Sequence, residues 1–288
     1  MDLRAIGMGL AFALMWSSAF ATARIIVADA PPLYALTIRF LISGSIAIML
    51  ARLLGQDWQM NRTQWRATVL FGLCQNGLYL GLNFVAMQWI EASLAAIIAS
   101  TMPLLVAGLG WLAFGERVRP LGLAGLVAGL GGVALIMGAR VNGGADVMGV
   151  VLCAAGALAL AFAALSVRGA SSGGNLLMVV GVQMLVGAAL LALAATGLET
   201  WDIRWSAKWG MAMGYQILVP GVMATMIWFA LVGRIGAVKA SAFHFLNPFF
   251  GVAIAALLLG EAVRPADMIG VAIIMAGILA VQVSKVAR

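Results

Sequence analysis

The feature that most constrains this chain is a stretch it contains twice. The 46 residues from Ala92 to Met137 align without a gap with those from Ala237 to Gln282, at an offset of 145. Pro103 falls on Pro248, Gly115-Glu116 on Gly260-Glu261, Arg119-Pro120 on Arg264-Pro265, Gly125 on Gly270 and Gly132 on Gly277. A shared frame of this length within otherwise apolar sequence marks a duplicated module, so the fold must accommodate two copies of one unit.

Composition says where such a unit lives. The chain is 64% hydrophobic and 9% charged, whereas a soluble domain carries about a quarter charged residues. Its apolar runs are continuous for about twenty residues and do not alternate, which predicts membrane-spanning helices and excludes barrel strands. The first run lacks a small-residue cleavage pattern followed by a soluble domain, so it reads as a retained span. The net charge of +7 would suggest nucleic acid for a soluble protein; here its distribution between loops matters, and no nucleic-acid partner is expected. Cys74 and Cys153 both sit in apolar runs, so neither a disulfide nor a metal site is expected, and no cofactor is called for.

Cutting at charged and turn-forming residues gives ten apolar segments: 5–27, 33–53, 65–87, 93–114, 121–138, 148–167, 176–196, 209–231, 240–259 and 267–283. The expected fold is an all-α integral membrane protein of ten transmembrane helices, arranged as two five-helix repeats over 1–140 and 146–288. An odd number of helices per repeat means the second copy enters from the opposite face, so the repeats are inverted. With both termini cytoplasmic, that side collects eleven of the 17 basic residues and the far side five, with Arg39 inside a helix. The positive-inside rule therefore favours cytoplasmic termini in a bacterial inner membrane. Trp58, Trp65, Trp89, Trp201, Trp205 and Trp209 fall at segment ends, as interfacial anchors do.

The repeated frame, together with Trp16-Ser17-Ser18-Ala19-Phe20 in the first helix, resembles the EamA-type branch of the drug/metabolite transporter superfamily. The resemblance covers essentially the whole chain, although the second copy departs from the signature in its first helix. It implies a transporter with a central cavity lined by helices 1, 3, 4, 6, 8 and 9. Overall, the sequence is most similar to aromatic amino acid exporters of the YddG type.

Polar residues inside hydrocarbon are costly and tend to face a cavity or another helix. Asn76, Tyr79 and Asn83 recur at i, i+3 and i+7, on one face of the third helix. Pro103 and Pro248 interrupt the fourth and ninth helices, freeing the carbonyls of Ala99 and His244 beside Ser100, Thr101, Ser241 and Asn247. Trp16, Ser17, Phe162, Tyr215, Trp228 and His244, the chain's single histidine, complete the candidate substrate-binding set; such rings can stack on an aromatic substrate or attract its ammonium. Arg39, roughly 10 Å into the second helix, is expected to snorkel or to pair with Asp29 or Glu91, with carboxylate binding as the alternative. Glu116 and Glu261 are expected to work with Pro103 and Pro248 as gate or hinge elements.

No P-loop, His-Glu-x-x-His motif or paired intramembrane carboxylates are present, which argues against an ATPase or an intramembrane enzyme. The reading is a secondary transporter exporting small amphipathic metabolites, above all aromatic amino acids, by alternating access around a midplane cavity. The alternative is a multidrug or quaternary-cation exporter of the same superfamily. Its partners would be the substrate and the lipid bilayer, and it would act as a monomer or weak homodimer.

Overall fold

A computed structural model describes residues 3–115, 119–166, 174–235, 240 and 242–286. Its elements, in chain order, are α1 (Leu3–Val27), α2 (Pro32–Leu53), α3 (Arg62–Ala86), α4 in two pieces (Ala92–Ala99 and Met102–Phe114) and α5 (Pro120–Asn142). Then come α6 (Val147–Ser166), α7 (Leu176–Leu198), α8 (Ala207–Ile235), α9 (Phe243–Leu259) and α10 (Pro265–Val286). Among the described residues, nine helices are long and apolar enough to cross a membrane, and α9 is a shorter apolar tenth. Its first turn, Ala242–Leu246, is wound as a 3-10 helix, and the α-helix proper runs Asn247–Leu259 with Pro248 in its first turn.

These helices are apolar on all sides, so packing alone cannot hide their surface. Leu112, Leu193 and Leu257 are 75%, 74% and 88% exposed. A helix hydrophobic all round that still shows its leucines needs lipid on that side. The protein is a multi-pass membrane protein.

Within the bundle, association depends on close approach, because lipid is as apolar as leucine. The tightest seams join helices that hold the same place in each copy. On α5 and α10, a Cβ added to Gly125 would lie 2.7 Å from the Gly277 carbonyl oxygen, and one added to Gly132 would lie 3.0 Å from that of Gly270. The earlier glycine of one helix meets the later glycine of the other, so the two run antiparallel. On α2 and α7, Gly44 meets the Gly181 carbonyl oxygen at 3.0 Å by the same measure, and a Glu199 carboxylate oxygen beyond the end of α7 accepts from the Leu33 N–H at the start of α2 at 3.0 Å. That pair is antiparallel too.

The duplication extends to local irregularities that the apolar pattern does not reveal. α3 is π-helical over Gly72–Tyr79 and α8 over Ile217–Met223, and the two starts differ by 217 − 72 = 145 residues. π segments widen a helix and are frequent at functional sites. In α8 the widened turn accommodates Pro220, which lacks an N–H; α3 achieves the same winding without proline.

The prolines of α4 and α9 do more than kink a continuous helix. α4 stops at Ala99 and restarts at Met102, with Pro103 in the first turn of the new segment, where the missing N–H costs nothing. The Ser100 and Thr101 hydroxyls donate back to the carbonyls of Ile97 and Ile98, both at 2.6 Å, and satisfy acceptors at the break. Gly115 and Gly260 close the corresponding helices at φ of 62° and 69°, the left-handed conformation that favours glycine there.

Candidate functional site

α1, α8 and α9 bring together four rings that lie far apart in sequence. Phe12 lies 5.7 Å from Trp16, 4.8 Å from Trp228 and 5.3 Å edge-on from His244, and the Trp228 and His244 rings are 5.2 Å apart. Trp16, Trp228 and His244 are partly buried, so ring surface stays available. Beside them the Asn247 side-chain nitrogen donates to His244 Nδ1 at 3.0 Å, which with the amide in this orientation makes Nδ1 the acceptor of a neutral ring. Asn247 Oδ1 is buried and has no hydrogen-bond partner among the described residues. Ser17 Oγ donates to the Asn247 carbonyl at 3.3 Å, tying α1 to the restart of α9 next to Pro248. Trp16 and Ser17, singled out by the family resemblance, and Trp228, His244, Asn247 and Pro248, singled out as polar, aromatic or helix-breaking residues within spans, lie together here. The structure adds Phe12, which looked like one more apolar residue of the first span.

The polar face of α3 behaves differently. Asn76 Nδ2 donates to the Gln183 carbonyl on α7 at 2.9 Å. Asn83 Nδ2 donates to the Tyr79 carbonyl at 2.8 Å, and Asn83 Oδ1 lies 3.3 Å from the Cys153 thiol of α6. Asn76, Tyr79 and Asn83 are each at most 2% exposed. These amides stitch α3 to α6 and α7, the role that interhelical polar residues commonly have. The i, i+3, i+7 arithmetic assumes regular α winding, but the π segment ends at Tyr79 and rotates the face.

The remaining candidates are spread out. The Tyr215 hydroxyl lies 2.7 Å from Ser18 Oγ, joining α8 to α1, and Phe162 on α6 is 51% exposed. Pro103 is buried at the α4 break, and Glu116 lies outside the described residues. Gln216, which sequence reasoning passed over, is fully buried; its Nε2 donates to the Ala19 carbonyl at 2.6 Å and to Thr22 Oγ1 at 2.9 Å, and its Oε1 has no partner among the described residues. A glutamine inside an otherwise apolar span was the available signal.

A second polar region closes one end of the bundle. Glu261 accepts from the N–H groups of Ala92 and Ser93 at 2.7 and 2.9 Å, capping α4 from the other copy. Arg140 forms a buried two-pronged pair with Asp267 and also binds Glu91. A cavity of about 540 Å³ opens here, lined by Arg24, Gln88, Glu91, Lys208 and Glu261 among others. Arg24 donates to the Met87 carbonyl across its edge. Glu199 caps α2 through Leu33 and Tyr34, and burial pushes its carboxyl above the usual range, partly offset by those two N–H groups. Trp209, expected as an interfacial anchor, is only 5% exposed and packs against Trp205 at 4.8 Å, because it starts α8 and turns inward; Trp201 stays out and meets Tyr34. No group of three or more His, Cys, Asp or Glu among the described residues could hold a metal ion.

Several proteins similar to this chain are named as transporters. The protein is 25% identical over 276 residues to the uncharacterized transporter YvbV of Bacillus subtilis, covering 96% of this chain and 90% of that one. It is 25% identical to a probable amino-acid metabolite efflux pump of Salmonella typhimurium, covering 94% and 92%. Against the aromatic amino acid exporter YddG of Ancylobacter novellus it is 29% identical over 140 residues, 47% of this chain and 46% of that one. A solved crystal structure superposes with a TM-score of 0.69 at 23% identity, covering 97% of this chain and 96% of its own, which supports the fold. The EamA-like transporter family matches residues 3–138 and, a second time, 147–282, so this chain belongs to that family.

Proposed function

We propose that this protein is a secondary exporter of aromatic amino acids, working by alternating access in the inner membrane of a bacterium with both termini cytoplasmic. The observation that carries the substrate class is the ring cluster of Phe12, Trp16, Trp228 and His244 with the free acceptor Asn247 Oδ1 beside it. Tryptophan indole faces are good platforms for another aromatic ring and for an ammonium group, and a buried amide oxygen wants a donor. One amino acid zwitterion with an aromatic side chain supplies both. The amino acid exporters among the relatives fit this reading.

The mechanism in this reading is a rocking of two inverted five-helix repeats, 1–140 and 146–288, about the centre. Antiparallel glycine seams between corresponding helices support the inversion. The breaks at Pro103 and Pro248 and the paired π segments of α3 and α8 interrupt the regular hydrogen-bond ladder at matched places, where a helix bends at least cost. Glu261 then acts as a latch between copies, since its release from Ala92 and Ser93 would free the start of α4. The protein works as a monomer or weak homodimer.

The test is uptake of labelled tryptophan, phenylalanine and alanine into proteoliposomes of the purified protein, with and without a pH gradient. Saturable uptake of the two aromatic substrates alone supports the assignment. Uptake no greater than in empty liposomes for all three would sink it.

A further inference from the structure

Arg39 is the eighth residue of α2, about 10 Å along its axis, and only 5% exposed. Neither outcome expected for it from the sequence occurs. It does not snorkel, and the two nearby acids are taken: Asp29 pairs with Arg204 at 3.1 Å, and Glu91 with Arg140. Among the described residues Arg39 has no carboxylate partner, and its buried Nε has no hydrogen-bond partner. Its guanidinium lies 5.2 Å over the ring of Phe40, and Tyr79 of α3 is near enough to interact with it electrostatically. A cation held inside the spanning part of a membrane protein is retained where it meets an anionic partner, and the described residues supply rings but no carboxylate.

The surroundings suit an anion. Ser43, one turn further along the same face of α2, is fully buried and its Oγ also lacks a partner. That Oγ lies 3.1 Å from where a Cβ on Gly221 would be, so this face of α2 meets the π segment of α8 at a residue without a side chain. Gln216, with its own unpartnered Oε1, directly precedes that segment. A fork of N–H donors and a hydroxyl donor on one face of α2 match the two oxygens of a carboxylate.

We infer that Arg39, assisted by Ser43, binds the carboxylate of the transported substrate. This rests on the amino acid reading above and extends it: the substrate must be an acid, not a neutral or purely cationic amphiphile. A guanidinium binding a planar carboxylate contributes both charge and geometry, so lysine replaces it only in part.

The experiment measures ligand-dependent thermal stabilisation of the full chain in nanodiscs, for wild type, Arg39→Gln, Arg39→Lys and Ser43→Ala. The probes are tryptophan, tryptophan amide, indole-3-propionate, a set of aliphatic carboxylates and inorganic phosphate, in neutral lipid and with phosphatidylglycerol. Wild type is expected to bind tryptophan and indole-3-propionate about 10- to 100-fold more tightly than the amide, with that preference lost in Arg39→Gln, partly kept in Arg39→Lys and weakened several-fold in Ser43→Ala. Equal binding of acid and amide by wild type, or an unchanged preference in Arg39→Gln, overturns the inference. So does an effect of Arg39→Gln confined to stabilisation by phosphatidylglycerol, which would make a lipid headgroup the partner. If Arg39→Gln does not fold, Arg39→Lys and Ser43→Ala decide by the same acid-to-amide ratio. Loss of aromatic binding altogether, with aliphatic carboxylates or phosphate still stabilising wild type but not Arg39→Gln, would keep the anion site and remove the aromatic substrate class. Stabilisation of wild type by no anion at all would overturn both.

Discussion

Arg140 at the end of α5 donates from Nε to Asp267 Oδ1 at 3.0 Å and from Nη2 to Asp267 Oδ2 at 2.7 Å, with both side chains at most 2% exposed. Each residue belongs to a different copy of the duplicated unit. The pair also holds Glu91 and Ser93, and Asp267 in turn accepts from the Arg264 N–H at 2.9 Å. Removing one partner leaves a buried, uncompensated charge, so Arg140→Ala should lower unfolding stability by about 3–5 kcal/mol. Asp267→Asn should cost less, because the amide oxygen still accepts. Chemical unfolding in mild detergent checks both.

The α5–α10 seam predicts a sharp contrast between Gly277 of α10, which lies in it, and Gly131 of α5, which faces away from it. A Cβ at Gly277 would sit 2.6 Å from the Gly125 carbonyl oxygen and 2.8 Å from Gly129 Cα, both backbone atoms that cannot swing away. Gly277→Ala should therefore destabilise by about 1–3 kcal/mol. Gly131→Ala, which meets nothing within 4 Å, should be neutral or stabilise by up to about 1 kcal/mol through helix propensity. Equal unfolding midpoints for the two variants would refute the close approach.

Glu261 joins the copies through two backbone N–H groups. Glu261→Ala should cost about 0.5–2 kcal/mol and raise amide exchange at Ala92 and Ser93. Exchange measured by mass spectrometry on peptides covering 90–99 reads this directly. If the latch also gates transport, the variant's uptake rate rises or falls while substrate affinity stays fixed.

Glu199 supplies a pH dependence with a definite sign. Burial raises its carboxyl above the ordinary 4.5. The folded state thus favours the protonated form, so the contribution to stability is full below the unfolded-state value and is lost as pH rises through the folded-state value. Glu199→Gln cannot titrate. The unfolding midpoint of the variant should therefore gain on wild type as pH rises from below the ordinary carboxylate value to above it. A trend in the opposite direction would mean that the Leu33 and Tyr34 hydrogen bonds outweigh burial.

The ring cluster predicts substrate effects without large losses of fold. Trp228→Ala removes the ring that faces both Phe12 and His244, and should weaken tryptophan binding about 2- to 10-fold. Trp205→Ala, 67% exposed at a connection, should leave binding unchanged. Titration of each variant with tryptophan in nanodiscs checks the pair.

The membrane setting, the helical class, the duplication at an offset of 145, the glycine helix ends at Gly115 and Gly260 and the interruptions at Pro103 and Pro248 are legible in the amino-acid sequence. All of these are local: an apolar run of spanning length, a missing N–H or a left-handed turn constrains the backbone wherever it occurs. What the side chains meet was decided only by tertiary structure. Asn76 and Asn83 read as one polar stripe, and a π segment turned them toward α6 and α7. Phe12 became part of the ring cluster because α8 and α9 cross α1 there, although their sequences lie more than 200 residues away. Arg140, read as a connection charge, and Asp267, read as the first residue of the last span, form a buried bridge because the last helices of the two copies pack antiparallel. Arg39, whose charge was evident from the start, has no carboxylate partner among the described residues, because Asp29 and Glu91 pair with Arg204 and Arg140 in three dimensions.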